Sequence, residues 1–130
     1  MTILALDLGR KRTGVALSSG VIAEGYATLV FDEKKIDDFI GVLKEIIAEQ
    51  TVGKIVVGLP LGKDGKETEQ SKWTRVQADK IKDALEIDVV FTEESYSSAQ
   101  ARGEEGDIDQ SSARIILEQY LNETSSSSLQ

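Results

Sequence analysis

The spacing of apolar residues changes from strand-like to helix-like after the first quarter of the chain. Residues 2–7 form a short aliphatic run that ends in Asp7-Leu8-Gly9. Residues 13–18 resume it after a basic turn, and residues 21–31 alternate loosely up to Leu29-Val30-Phe31. Short turns between successive strands predict an antiparallel meander. Ile36, Phe39, Ile40, Leu43, Ile46 and Ile47 then follow helical spacing, so residues 34–50 read as an amphipathic helix. Lys54 to Gly58 is a buried strand bounded by Gly58-Leu59-Pro60, and the polar stretch 61–70 is a loop. A second helix is expected over 69–85, with Trp73, Val76, Ile81 and Leu85 on one face. Ile87 to Phe91 reads as a fifth strand, and Tyr96 to Arg102 as a short helix or turn. The last helix spans 109–121, with Ala113, Ile116, Leu117, Tyr120 and Leu121 inward.

The order β-β-β-α-β-α-β-α-α implies an α/β domain. Its five-stranded sheet is mixed, with the first three strands antiparallel, the later ones parallel, and helices on both faces. Residues 1–123 form one domain. The Ser-rich segment 124–130 has no periodicity and is expected to be a disordered tail. The chain of 130 residues is large enough to bury a core without staples.

Composition narrows the chemistry. The chain has no Cys and no His, which excludes disulfides, thiolate catalysis, a histidine general base and zinc held by either residue. No apolar run is long enough to span a membrane and no signal segment is visible, so the expected compartment is the cytoplasm. The net charge is −8, unevenly spread. Residues 1–82 hold 13 basic and 12 acidic side chains, whereas residues 83–123 hold 2 and 11. Arg10-Lys11-Arg12 stands out as a basic group, as do Lys63, Lys66, Lys72, Arg75, Lys80 and Lys82. An acidic half beside a basic one suits a phosphate ligand only if a metal offsets the carboxylates.

Asp7 ends the first strand in an apolar stretch, where a charge is costly unless paired or metal-bound. Glu93-Glu94 follows the fifth strand, at the strand end where ligands gather in parallel sheets. Asp109 precedes the last helix, where Asp is also a good N-cap. If the first strand is central and the fifth lies nearby, Asp7, Glu93 or Glu94, and Asp109 can converge at one end of the sheet, and mutually repelling carboxylates favour Mg²⁺ or Mn²⁺. Two such ions can cleave a phosphodiester without His or Cys.

These residues resemble the YqgF/RuvX family. Asp7-Leu8-Gly9-Arg10-Lys11-Arg12-Thr13-Gly14-Val15-Ala16 is similar to its opening motif, and Val57-Gly58-Leu59-Pro60-Leu61 to its middle motif. Glu93-Glu94-Ser95-Tyr96-Ser97-Ser98 resembles its Asp-Glu-Arg stretch. Ile108-Asp109-Gln110-Ser111-Ser112-Ala113 resembles the start of its last helix. The resemblance spans residues 3–121. It implies an RNase H-like fold and a metal-dependent nuclease that matures the 5′ end of precursor 16S ribosomal RNA, or else resolves Holliday junctions. The implied metal-binding and catalytic residues are Asp7, Glu94 and Asp109, at a two-metal site. Arg10, Lys11, Arg12, Ser97 and Ser98 would meet the nucleic acid.

Three departures stand out. Glu93-Glu94-Ser95 replaces Asp-Glu-Arg, so an Arg is lost. The segment Gly103 to Asp107 is short and acidic where relatives carry a longer basic stretch, and Ser19 stands where many relatives have Asp. Strand alternation lets one of Glu93 and Glu94 face the metal, not both. RNA is the expected partner, with branched DNA as the alternative. A resolvase needs a two-fold dimer, whereas no dimer seam is visible, so a monomer or weak homodimer is expected. A single lobe of an actin-like ATPase and a non-catalytic nucleic-acid-binding module are the other readings.

Overall fold

The computed structural model describes residues 1–94 and 108–128, without the side chains of residues 94, 108 and 125–128. Strands β1 (Thr2–Leu8), β2 (Arg12–Ser18) and β3 (Ala23–Val30) lead through a 3₁₀ turn at Glu33–Lys35 into α1 (Ile36–Gln50). Then follow β4 (Val52–Pro60), α2 (Glu69–Leu85), β5 (Asp88–Glu94) and α3 (Ile108–Ser128). The sheet order is β3-β2-β1-β4-β5. β1 pairs antiparallel with β2, and β2 with β3. β4 runs parallel to both β1 and β5. This is the mixed sheet that the element order implies. Among the described residues no helix is long and apolar enough to cross a membrane.

β1 is the central strand, and its near-continuous apolar character follows from burial on both faces. Leu4, Leu6 and Leu8 point to one side. There they join Ile55 and Val57 of β4, Phe39, Ile40, Leu43 and Ile46 of α1, and Ala78 and Ile81 of α2. Ile3 and Ala5 point to the other side and meet Ala16, Val56, Ala113, Ile116 and Leu117 under α3. The first core is built of large aliphatic and aromatic side chains. The second is rich in alanine, and small side chains let a helix lie close to the sheet.

The loop before α2 is fixed by its own polar groups. Thr68 and Ser71 form a reciprocal capping box, and the Thr68 hydroxyl also donates to the Pro60 carbonyl at 3.1 Å. Arg75 donates to both carboxylate oxygens of Glu67, at 2.9 and 3.0 Å. That contact holds the Glu67 carboxyl below its usual range.

Three expectations need correction. Val76 does not share the inner face of α2 and is 51% exposed. The buried positions are Ser71, Thr74, Gln77, Ala78 and Ile81. Counting apolar residues passes over Thr74 and Gln77, whose helical phase places them inward all the same. The last helix does not stop at residue 121, because α3 continues to Ser128. Its Thr124 hydroxyl donates to the carbonyls of Tyr120 and Leu121, so the helix absorbs the first polar residue rather than stopping at it. β3 starts at Ala23, not at residue 21, and the two strands shift register between Val15 and Ala16. The expected short helix or turn over 96–102 lies outside the described residues.

The two faces of α2 and α3 give a contrast that can be measured. Leu117→Ala, at a fully buried site under α3, is expected to cost about 2–5 kcal/mol in chemical denaturation. Val76→Ala is expected to stay within about 0.5 kcal/mol of the parent.

Candidate active site

Strand alternation assigns Asp7 a face. Ile3 and Ala5 pack under α3, so Asp7, next in the same series, stands on the α3 side at the carboxyl end of β1. Its register partner on β2 is Gly14. Gly14 in turn is where α3 touches down, since a Cβ placed there would run into the backbone carbonyl of Asp109. Gly25, on β3, sits against the side chain of Gln110 in the same way. One absent side chain thus seats the Asp109 backbone on the strand pair that carries Asp7, although the two residues come from opposite ends of the sequence.

Asp109 lies within the first turn of α3 rather than ahead of it. There the helix dipole favours its negative charge. Arg12 Nε donates to Asp109 Oδ2 at 2.9 Å, with the Arg side chain 67% and the Asp side chain 25% exposed. An open cavity of about 200 Å³ lies here, lined by Gly9, Arg10, Lys11, Arg12 and Asp109.

The basic turn is not a single patch. Arg12 turns to the α3 side and Asp109. Arg10 turns to the opposite side, where its guanidinium carbon lies 4.7 Å from the centroid of the Trp73 ring on α2. Lys11 lines the cavity, and its carbonyl accepts from the Phe31 amide at 2.8 Å. Trp73 is a site neighbour that helical periodicity had placed in the core. The signal that could have marked it is a lone Trp among charged residues on α2.

The fifth strand carries Glu93 opposite Leu59 and Glu94 opposite Pro60. Arg75 of α2 is held above its usual range, first by its hydrogen bonds to Glu67, and further by the charges of Glu67, Asp79 and Glu93 against desolvation. Glu93 therefore acts electrostatically on the α2 side. Among the described residues no group of three or more acidic side chains is close enough to hold a metal ion. The Glu94 side chain, Ser97 and Ser98 are outside the described residues. Asp7 and Asp109 offer hard oxygen donors of the kind that Mg²⁺ and Mn²⁺ prefer.

The contact at Gly14 predicts a measurable cost. Gly14→Ala must push α3 off the sheet, and overpacking of this kind costs about 1–3 kcal/mol. Denaturant titration is expected to show a fall of that size, larger than for Gly41→Ala, where an added methyl meets open space.

Comparison with known proteins agrees with this geometry. The sequence profile described as "RuvX: Holliday junction resolvase" matches residues 1–123. A protein of Dictyoglomus turgidum named "Putative pre-16S rRNA nuclease" is 33% identical over 96% of this chain and 96% of its own length. A Synechocystis protein of the same name is 34% identical over 92% of this chain and 86% of its own length. The structure of Thermus thermophilus RuvC in complex with a Holliday junction substrate superposes with a TM-score of 0.57 at 10% identity. It covers 89% of each chain and shows that the two share an RNase H-like fold. A profile match over nearly the whole length, together with relatives 33–34% identical over most of the chain, establishes that the chain belongs to the RuvX family.

Proposed function

We propose that this protein is a divalent-metal-dependent nuclease that matures the 5′ end of precursor 16S ribosomal RNA in the cytoplasm. The observation that carries the reading is the seating of the Asp109 backbone on Gly14, the register partner of Asp7, which supports a site shared by the two carboxylates. Two carboxylates brought together at the end of a central strand repel each other, and a fold retains such a pair most readily when cations join it. Glu93 belongs to the α2 side, which leaves Glu94 as the third candidate. The RNA substrate is suggested by the names of the relatives.

Asp7, Glu94 and Asp109 would hold Mg²⁺ or Mn²⁺, in a two-metal arrangement. When bound, such ions activate a water and stabilise charge on the leaving oxygen. The chain's own residues set the stage for that chemistry. Asp7 is fixed by its pairing with Gly14 of β2, one residue past the end of the β1–β4 ladder. Asp109 is aimed by the seating of α3 on Gly14. Arg12 neutralises part of the acidic charge before substrate arrives and is exposed enough to turn to a phosphate. Lys11 and Arg10 stand along the approach, and Ser97 and Ser98 complete the expected contacts to phosphate. With no His in the chain, proton removal from water falls to a carboxylate or to the metal-bound state. A single copy carries all three acidic residues, so a monomer suffices for RNA trimming.

Asp7→Asn, Glu94→Gln and Asp109→Asn are each expected to lower cleavage of a precursor 16S transcript in Mn²⁺ by about 10²–10³-fold or more, with unfolding midpoints retained. Parent-like cleavage by any variant would remove that residue from the site. A four-way DNA junction run in parallel tests the alternative substrate. Symmetric cutting of the junction with the RNA left intact would reassign the protein as a resolvase.

Arg12 gives a second test. An exposed ion pair contributes about 0.2–1 kcal/mol, so removing the Arg12 contact to Asp109 by Arg12→Gln is expected to tighten Mn²⁺ binding up to about fivefold in calorimetry. The same variant is expected to cleave RNA more slowly. Unchanged Mn²⁺ affinity would show that the guanidinium and the metal do not compete.

A further inference from the structure

We propose that Arg10, stacked on Trp73, is a platform for an unpaired ribonucleotide that flanks the cleavage site, on the side of the sheet away from Asp109. The proposal rests on the nuclease reading for its choice of ligand. Its geometry is independent of the acidic residues.

The indole of Trp73 is held on several sides. Its Nε1–H donates to Glu33 Oε1 at 3.1 Å. Phe31 meets it edge-on with centroids 5.6 Å apart, and Phe39 backs Phe31 at 4.9 Å. The Arg10 guanidinium lies over this fixed ring at 4.7 Å and is exposed. A planar guanidinium with one face on an indole keeps its second face and its N–H edges for a ligand. Pinning it in advance removes most of the side-chain ordering cost that binding would otherwise carry.

Two features select unpaired RNA. Bases stack on Arg planes and aromatic rings when they are splayed out of a helix, and a base inside a duplex cannot present its face. The protein carries a net charge of −8, so its overall charge repels phosphate and affinity must come from local contacts. Stacking is such a contact. The platform adjoins the cavity that holds Lys11, Arg12 and Asp109. A strand leaving that cavity over the β1–β2 turn reaches Arg10 next. The merely structural alternative is that Arg10 ties the turn to α2 and meets no ligand.

Trp73 is the only Trp in the chain, so its emission reports on the platform alone. The test is titration of a short labelled single-stranded oligoribonucleotide in EDTA at low salt, read by anisotropy and by Trp73 emission. Saturable quenching with the same midpoint as the anisotropy change is expected. Arg10→Ala and Arg10→Lys are each expected to weaken binding about tenfold, and a blunt duplex of the same sequence to bind parent and variants equally. Full affinity with Arg10→Lys would mean that charge alone acts and would overturn the stacking role. Full affinity with Arg10→Ala and a lowered unfolding midpoint would establish the structural tie instead, and absence of saturable single-strand binding would also overturn the platform. Mn²⁺ calorimetry on the same preparations separates the two readings. Platform binding with no Mn²⁺ binding and no cleavage overturns only the nuclease. Mn²⁺ binding and cleavage that are indifferent to Arg10 overturn only the platform.

Discussion

The distance between α3 and the sheet governs what lies at the carboxyl end of β1. Along most of the interface that distance is kept short by Ala5, Ala16 and Ala113. At its end it is set by Gly14, against which the backbone of Asp109 rests without room for a Cβ. A helix standing off by one methyl group would carry Asp109 away from Asp7 and lengthen the bridge to Arg12. The large side chains of the opposite core do no comparable positioning. They supply the apolar burial that makes the sheet rigid enough for a sub-ångström fit to matter.

Electrostatics are arranged around that fit. The Arg12 guanidinium offsets the charge of Asp109 at the start of α3. The pair is exposed, so water and salt weaken it, and its partner can be exchanged at little cost. A buried pair would have been more rigid and harder to exchange. The basic turn divides its side chains between the two faces of the sheet, Arg12 toward α3 and Arg10 toward Trp73 of α2. A linear reading groups them into one patch because they are adjacent in sequence. A tight turn between antiparallel strands sends neighbours in different directions.

Much of the fold is legible because its elements obey local rules. Alternation, helical spacing and turn residues place α1 and α2 within two residues of their observed ends, and the core strands within three. The failures share a cause. Val76 satisfies an apolar count without lying on the helix phase, while Thr74 and Gln77 lie on the phase without being apolar. The end of α3 runs past Leu121 because nothing in Asn122-Glu123-Thr124 forbids a helix, even though nothing in that stretch favours burial.

The sequence by itself determined the element order, the exclusion of His and Cys chemistry, and the acidic candidates Asp7, Glu94 and Asp109. These are properties of composition and of short-range pattern, which a linear reading contains in full. Only the tertiary structure decided that the Asp109 backbone rests on Gly14, the register partner of Asp7, that Glu93 lies on the α2 side with Arg75, and that Arg10 lies over Trp73. Each of these depends on which face a residue takes and on how close two distant segments come. Such distances are fixed by packing volumes summed over the whole core, not by the residues that happen to be neighbours in the chain.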